Sequence, residues 1–279
     1  MNYRHAYHAG NFSDVFKHAV MALIVESLKN KDKPFCYIDT HAGIGQYDLM
    51  AIQAQKTGEY KAGIEALMAD STASAHPLLA PYLDVVKGMN SPETLRYYPG
   101  SPLLARKLMR HNDRMVACEL HPEDAELLKS HFKGDRQVAI QHADGYKALK
   151  AALPPPERRG LVHIDPPYED REEFVHLTHW LALTHQRWAT GTYLIWYPIK
   201  DRRPLRRFYD ELIGSGIRRI LVAELNINPD NTPDALNGSG LLIINPPFEL
   251  DKKIRTLQPL LGGVFNATGQ HRCDWLVGE

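Results

Sequence analysis

The sequence predicts an α/β protein with a mostly parallel, seven-stranded sheet, a C-terminal antiparallel hairpin and an inserted helical subdomain. Short apolar runs alternate with segments of helical length and periodicity, which is the pattern of a parallel sheet covered by helices on both faces. The last two apolar runs are joined by a polar loop without a helix, so they predict an antiparallel pair. A long, mostly helical stretch after the first run predicts the insertion.

Seven short apolar runs, bounded by polar residues, glycine or proline, are the predicted strands. They cover residues 35–38, 114–120, 137–144, 159–165, 191–197, 218–226 and 240–245. The predicted helices show apolar residues at helical spacing. They cover residues 12–28, 102–110, 123–132, 172–183 and 205–215. Ser13 is predicted to cap the first of these helices and Ser101 the second.

These elements divide the chain into three parts. Residues 1–48 form an N-terminal tail, a helix and the first strand. Residues 49–107 form the inserted helical subdomain, and residues 108–279 complete the core.

Composition limits the function. A formal net charge of zero argues against a polybasic nucleic-acid binder, so any such contact must come from local patches. The three cysteines, Cys36, Cys118 and Cys273, form no CxxC pair, which indicates a reducing cytoplasm without a zinc or disulfide framework. His5 and His8 lack a third ligand nearby and are assigned to a tail over the active site. With no signal-peptide pattern and no membrane-length apolar run, we expect a soluble cytoplasmic protein without a metal or a membrane partner.

Acidic residues end the first four predicted strands. They are Asp39, Glu119, Asp144 and Asp165, and a glycine loop with the sequence HAGIGQY follows the first. Single acids at such positions commonly cap turns and helices, but four in succession favour a binding site. Ligands of these sheets bind at the carboxyl ends of the strands, where all four acids would meet.

The cofactor predicted from this pattern is S-adenosylmethionine. The glycine loop lacks the third glycine that a dinucleotide fingerprint requires. Glu119, after the second strand, is placed to accept hydrogen bonds from ribose hydroxyls, and Asp144 from the amino group of an adenine. A pocket for adenosine without a pyrophosphate clamp favours S-adenosylmethionine over NAD.

The DPPY motif that follows the fourth strand predicts the chemistry. An adenine N6 amine is a poor nucleophile because its lone pair is delocalised into the ring. The Asp165 carboxylate and the Pro166 carbonyl would both accept hydrogens from this amine, exposing the lone pair and stabilising the developing positive charge. Tyr168 would offer a flat face on which the extruded base stacks. Catalysis would then consist mainly of orientation and charge stabilisation, with no metal.

A second, similar motif, INPPF, follows the seventh strand at Asn245. The strand before it is predicted to be antiparallel, so it should end at the opposite edge of the sheet from Asp165. Its prolines are predicted to terminate an edge strand and block further pairing. We therefore assign the active site to Asp165 and a structural role to Asn245.

Five sequence blocks resemble the bacterial RlmJ-type 23S ribosomal RNA adenine-N6 methyltransferases. They are YRHAYHAGNFSDVFKH, DTHAGIGQY, YYPGSP, IDPPYE and ATGTYLIWYP, and the resemblance runs nearly end to end. It implies a Rossmann-like, S-adenosylmethionine-dependent methyltransferase fold with an inserted helical subdomain. It also implies a monomer that methylates one adenine in a hairpin of 23S rRNA, naked or in an early assembly intermediate, and releases S-adenosylhomocysteine.

The resemblance also implies roles for individual residues. Asp165 would be catalytic, with Pro166 and Tyr168 completing its motif, and Tyr3 and Arg4 in the tail would contact the RNA together with Tyr168. The cofactor would be bound by His18, His41, Ser101, Glu119, Asp144, Gly145 and Asp165. On the residues alone, His18 fits a polar helix face equally well, and His41 fits an ordinary turn.

Basic runs are candidates for contacts with RNA phosphates, although a solvated surface is the default interpretation of any one of them. The main run lies after the fifth strand, on the rim of Asp165, and comprises Lys200, Arg202, Arg203, Arg206 and Arg207. Arg218 and Arg219 form a second run, and Arg158 and Arg159 are predicted to lie nearer the site. Trp196 and Tyr197 either stack on RNA or fill the core.

Three other functions are alternatives to an RNA adenine-N6 methyltransferase. A DNA adenine-N6 methyltransferase would share the catalytic residues but would be expected to carry a larger target-recognition domain. A nucleotide-dependent oxidoreductase would need the missing glycine fingerprint and would leave DPPY without a role. A non-catalytic RNA-binding protein would not need acids at four strand ends.

Overall fold

In the computed structural model, which describes residues 4–230, 232–233 and 235–279, ten strands and eleven α-helices are found. The strands are β1 (Cys36–Asp39), β2 (Gln46–Asp48), β3 (Tyr97–Pro99), β4 (Arg114–Glu119), β5 (Val138–His142), β6 (Gly160–Ile164), β7 (Thr192–Ile199), β8 (Ile220–Asn226), β9 (Gly238–Ile244) and β10 (Arg272–Val277). The helices are α1 (Phe12–Lys29), α2 (Ile52–Thr57), α3 (Ile64–Ala69), α4 (Ser71–Ser74), α5 (Ala80–Gly88), α6 (Ser101–Leu108), α7 (Pro122–His131), α8 (Gly145–Ala152), α9 (Glu173–Arg187), α10 (Arg202–Gly214) and α11 (Leu250–Val264). Two short 3₁₀ turns lie at His5–Tyr7 and Glu59–Lys61.

The central sheet has eight strands in the order β10-β8-β9-β7-β6-β1-β4-β5. Strands β1, β4, β5, β6 and β7 are mutually parallel, while β9 pairs antiparallel with both β7 and β8, and β10 pairs antiparallel with β8. The carboxyl ends of the parallel strands therefore meet at one edge of the sheet, called here the carboxyl edge. Their amino ends meet at the opposite amino edge, where the antiparallel strands β9 and β10 end.

Helices cover both faces of this sheet. One apolar cluster joins α1, α5, α6, α7 and α11 to one face, through side chains such as Leu83, Leu104 and Leu257. A second cluster joins α8, α9 and α10 to the other face, for example through Leu177 and Leu205. This is the arrangement predicted from alternating strands and helices, and it leaves the carboxyl edge free for a ligand.

Helix α1 is buried along most of its length, so its polar residues are unusual. Its N-cap is Asn11, whose side chain accepts a hydrogen bond from the backbone N–H of Asp14, and not Ser13 as predicted. The Ser13 hydroxyl instead donates to Ser239 at a distance of 2.8 Å. Asp14 and Lys17 are almost completely buried on this helix.

The segment from residue 49 to residue 107 contains α2 to α5 and all but the last residue of α6, together with the 3₁₀ turn at Glu59–Lys61 and the three-residue strand β3. Strands β2 and β3 pair in a separate two-stranded antiparallel sheet, which the sequence did not predict. The predicted cap of α6 is wrong: Gly100 is the N-cap, and the Ser101 hydroxyl donates to Asp39. The division of the chain at residues 48 and 107 stays a prediction.

Two expectations about the C-terminal part are corrected. The sheet has an eighth strand, β10, so the predicted number of seven is wrong. The β8–β9 pair is antiparallel as predicted, but it does not lie at the edge, because β10 covers β8 and β7 covers β9. None of the described helices is long and apolar enough to cross a bilayer.

Candidate active site

A cavity of about 630 Å³ opens at the carboxyl edge of the sheet. The structure brings together there all seven residues predicted to bind the cofactor. They are His18, His41, Ser101, Glu119, Asp144, Gly145 and Asp165. Arg4 and Pro166 also line this cavity, whereas Tyr168 does not.

The DPPY motif begins at Asp165, the residue directly after β6, and the Asp165 side chain lines the cavity. A carboxylate oxygen of Asp165 lies 2.5 Å from the Nζ of Lys17 on α1. Tyr168 has a φ of 52°, and its hydroxyl donates to the backbone carbonyl of Trp196 over 2.7 Å. Its ring packs against Phe174 and Trp196, behind the cavity wall.

Lys17 belongs to a buried chain of charges that reaches the N-terminal turn. Its Nζ lies 2.9 Å from Asp14, whose other carboxylate oxygen lies 2.8 Å from the Nε2 of His5. Burial works to lower the pKa of Lys17, but the carboxylates of Asp14 and Asp165 outweigh it and raise that pKa. Burial likewise opposes ionisation of Asp14, yet His5 and Lys17 hold its pKa well below the usual value.

Glu119 ends β4 and connects two loops of the site. One of its oxygens accepts the backbone N–H of Gly43 in the glycine loop, and the other accepts that of His121, both at 2.8 Å. Burial raises the pKa of this carboxyl group against the effect of these two hydrogen bonds. A carboxylate oxygen keeps further lone pairs, so Glu119 can still accept a hydroxyl from the cavity.

Asp144 and Gly145 form the start of α8. The Asp144 side chain caps the helix by accepting from the backbone N–H of Tyr146 and Lys147, so its structural role is real. A Cβ on Gly145 would lie 2.0 Å from the carbonyl oxygen of Thr40. Only glycine therefore allows α8 to approach the loop after β1 and close this side of the cavity.

The two histidines that are predicted to bind the cofactor lie in surroundings that favour their neutral form. Burial lowers the pKa of His18 to about 3 and that of His41 to about 4. The Nδ1 of His18 lies 2.9 Å from the hydroxyl of Tyr98. The Nδ1 of His41 lies 2.7 Å from the hydroxyl of Thr40, next to the glycine loop.

Two residues of the N-terminal tail, Tyr3 and Arg4, are predicted to contact RNA. Tyr3 lies outside the described residues, and Arg4 lies within them. The guanidinium of Arg4 binds Glu123 at 2.8 Å and Asp124 at 2.5 Å, both in the first turn of α7. The tail thus crosses the cavity from α1 to α7 in this structure.

The INPPF motif lies at the amino edge, as predicted. Asn245 follows the antiparallel strand β9, and its side-chain amide donates to the carbonyls of Ala189 and Gly191, each at 2.8 Å. The expectation that its prolines end an edge strand is wrong, because β9 lies between β7 and β8.

The basic runs are separated by the sheet topology. Arg158 and Arg159 precede β6 and Arg218 and Arg219 precede β8, so both pairs lie at the amino edge. The prediction that Arg158 and Arg159 lie nearer the site is wrong. The run from Lys200 to Arg207 does lie at the carboxyl edge, after β7.

Of the two aromatic residues, Tyr197 fills the core, and stacking of RNA on Trp196 stays a prediction. Trp196 lines the cavity, and its Nε1 donates to Ser13 and Ser239. Tyr197 is fully buried in the core, where its hydroxyl lies 2.7 Å from that of Tyr209.

Sequence reasoning missed several lining residues, which are Asp14, Lys17, Tyr146 and Glu173. A signal for two of them was present, since Asp14 and Lys17 are an opposite-charge pair three residues apart on a helix that is otherwise largely apolar. Tyr146 and Glu173 come from the starts of two helices, and the Tyr146 hydroxyl donates to Glu173 over 2.8 Å. No sequence pattern identified that contact.

The parallel sheet with an inserted antiparallel strand and the acid-lined cavity at its carboxyl edge define a Rossmann-like methyltransferase. The model of the family described as "RsmJ: Ribosomal RNA large subunit methyltransferase D, RlmJ" matches residues 32–277, and the chain belongs to this family. It is 44% identical over 281 residues to "Ribosomal RNA large subunit methyltransferase J" of Escherichia coli (strain K12), and 42% identical over 282 residues to the protein of that name from Haemophilus influenzae. Both alignments cover 100% of each chain.

A solved structure shows the same fold. The protein LPL1258 from Legionella pneumophila is 35% identical to this chain, with a TM-score of 0.89. The match covers 96% of this chain and 98% of that one.

Proposed function

We propose that this protein transfers a methyl group from S-adenosylmethionine to the N6 amine of one adenine in 23S rRNA. The observation that carries the proposal is the position of Asp165, which directly follows β6 and faces the cavity beside the predicted cofactor residues. The names of the relatives, which are ribosomal RNA large subunit methyltransferases, support the substrate.

The residues present fit the cofactor. The cavity is lined by carboxylates, which suit a cationic sulfonium, and its volume of about 630 Å³ is that of a small-molecule site. Glu119 retains acceptor capacity for ribose hydroxyls, and Asp144 lies beside Gly145 where the adenine amine would be accepted. When bound, S-adenosylmethionine supplies an electrophilic methyl group.

The contribution of the chain is to hold the target amine. The Asp165 carboxylate and the Pro166 carbonyl would accept its two hydrogens, and the accepting groups stabilise the positive charge that develops on nitrogen. Lys17 fixes the Asp165 carboxylate through the contact of 2.5 Å, so the acceptor is oriented before the base arrives. Because the carboxylate is already held in place, little freedom of this side chain is lost in the transition state, which lowers the activation free energy of methyl transfer.

The aromatic part of the site would hold the flipped base. The Tyr168 hydroxyl is bound by the Trp196 carbonyl, so its ring is fixed in one orientation. The indole of Trp196 is itself held by two serine hydroxyls. A base stacking on the Trp196 indole, which lines the cavity, would gain about 1–3 kcal/mol, and the Tyr168 ring would support that indole from behind. The protein would act as a cytoplasmic monomer on 23S RNA that is naked or in an early assembly intermediate.

The test is methyl transfer to a defined RNA. Purified protein and isotopically labelled S-adenosylmethionine are incubated with unmodified 23S RNA, with 16S RNA and with adenine-containing DNA, and the labelled nucleotide is mapped. We expect N6-methyladenine at one position of 23S RNA only. Labelling of DNA at an equal rate, or of another atom of the base, would overturn the proposal.

A further inference from the structure

The carboxyl edge is divided into two halves of opposite charge. The half under β4, β5 and β6 is acidic, because Glu119, Glu123, Asp124, Asp144, Asp165 and Glu173 line the cavity there. Two cations of the cavity, Arg4 and Lys17, are each bound to two of the site's carboxylates. This half suits a cationic cofactor and repels an RNA backbone.

The other half of the edge is formed by the end of β7 and the start of α10. The inner face of α10 is buried through residues such as Leu205 and Phe208. Arg202 is a structural residue, since its guanidinium binds Glu224 at 2.6 Å and Asp230 at 2.8 Å. Arg203 is bound by Asp201 at 2.7 Å.

Three further cations are exposed at this half and form the outer basic face, defined as Lys200, Arg206 and Arg207. None of the three makes an ion pair with any residue that the structure describes. Their charge is therefore available to a ligand. Lys200 also lies close enough to His8 to lower its pKa, although binding to Glu59 is the largest effect on that histidine and raises its pKa.

The order of charges along α10 is the reverse of what would stabilise the helix. Its arginines lie in the first two turns, near the positive end of the helix dipole, and no acidic residue lies in the first turn. Asp210 and Glu211 follow in the third turn. Cations are favoured at the other end of a helix, so the helix dipole does not account for Arg206 and Arg207 in this position.

The buried face of α10, opposite the outer basic face, is connected to the DPPY motif by packed aromatic rings. Phe208, next to Arg207, lies 5.1 Å from Phe174 between ring centroids. Phe174 lies 5.1 Å from Tyr168 of the DPPY motif. The helix that carries Arg206 and Arg207 is thus packed, through two ring contacts, against the motif that would hold the target base.

We propose that the outer basic face binds the phosphates of the RNA strand that flanks the target adenine, so that the RNA approaches from the α10 side of the cavity. This inference rests on the proposed function for the identity of the base, but it concerns a separate surface. Charge complementarity and the acidic character of the other half of the edge exclude the opposite direction of approach.

The test compares a triple variant, K200Q with R206Q and R207Q, with a control that removes two arginines from the amino edge, R136Q with R158Q. Arg136 and Arg158 are also exposed and precede β5 and β6. RNA affinity is measured as a function of salt concentration, together with kcat, KM for RNA and the affinity for S-adenosylmethionine. Thermal unfolding shows that each variant is folded.

We expect the salt dependence of the triple variant to be shallower by about 2 logarithmic units per decade, since each lost phosphate contact with a single strand removes about 0.7. Its KM for RNA should rise about tenfold or more at low salt, with kcat at saturating RNA and the cofactor affinity unchanged. A salt dependence equal to that of the wild type, or equal losses in the control, would overturn the proposal. A charge-conserving variant, R206K with R207K, should keep the wild-type dependence, and a loss there would contradict an electrostatic contact.

These outcomes are distinct from a failure of the proposed function. The salt dependence is a binding measurement and requires no methyl transfer. A wild-type protein that bound RNA through the outer basic face but did not methylate 23S RNA would contradict the proposed function alone. A protein that methylated 23S RNA with no change in the triple variant would contradict this inference alone.

Discussion

Two nearly identical motifs, DPPY after β6 and NPPF after β9, have different surroundings because their strands run in opposite directions. Asp165 emerges at the carboxyl edge and faces a cavity and a buried lysine. Asn245 emerges at the amino edge, where its amide binds two backbone carbonyls of the loop before β7. The local sequence of a motif therefore gives its chemistry, but the direction of the preceding strand decides whether a ligand can use it.

The largest expected contrast is in catalysis. Asp165→Asn keeps the shape of the side chain but removes the charge that would stabilise the developing cation, so kcat should fall by about a hundredfold or more. Asn245→Asp, the reverse exchange at the amino edge, should leave kcat per folded molecule unchanged. Single-turnover methylation of 23S RNA measures both. Equal loss in the two variants would show that the two edges do not differ in function.

A second contrast uses two glycines whose Cβ would contact a backbone oxygen. A Cβ on Gly145 would lie 2.0 Å from Thr40 at the carboxyl edge, and one on Gly160 would lie 1.9 Å from Cys36 at the amino edge. Each alanine variant should lose about 3 kcal/mol of unfolding free energy by overpacking. Only Gly145→Ala should also weaken cofactor binding, by about tenfold, because the cavity wall must move. Denaturant titration and calorimetry separate the two effects, and weaker cofactor binding by Gly160→Ala would argue against this division.

A smaller effect is expected from Asn245→Ala. The variant loses two hydrogen bonds and a residue type that tolerates a φ of 51°. Its free energy of unfolding should therefore be about 1–2 kcal/mol lower than that of the wild type. Asn266, exposed and also at a φ of 51°, is the matched control for backbone strain alone. Asn266→Ala should lower the free energy of unfolding by less than Asn245→Ala does, and the denaturant midpoints of the two variants test this. Equal costs would assign the effect to strain and leave no role for the amide.

The last contrast is gradual and concerns pH dependence. Burial lowers the folded-state pKa of His18 to about 3, whereas the unfolded chain binds its proton near pH 6.5. Between these values the unfolded state binds more protons, so the stability from His18 is complete above pH 6.5 and is lost as the pH falls. His18→Gln should flatten the stability curve in this window by at most about 1.4 kcal/mol per pH unit. Stability measured by denaturant titration across this pH range is the test, and an unchanged slope in His18→Gln would contradict the assignment.

Much of the fold was predictable because hydrophobic periodicity records burial. The buried strands β1, β4, β6 and β8 stand out as apolar runs. Strand β10 does not, since Arg272 and Asp274 interrupt it and only one of its residues is buried. Helix α11 was missed because it contains Pro259 and two glycines, which argue locally against a helix. Tertiary contacts override these local preferences.

The candidate site was predictable where a strand end determines the position of a side chain. Asp144, Glu119 and Asp165 follow from that rule. Lys17 did not, because its contact with Asp165 joins residues 148 positions apart. Which part of α1 lies next to the end of β6 is decided by tertiary packing, and a local sequence pattern does not predict that packing.

That long separation affects how the chain is made. A ribosome adding about 5–20 residues per second needs roughly 7–30 s between the synthesis of Lys17 and that of Asp165. During this interval α1, most of whose residues are buried in the folded protein, lacks its contact with β6. The ion pair that orients the Asp165 carboxylate can therefore form only after more than half of the polypeptide has been translated.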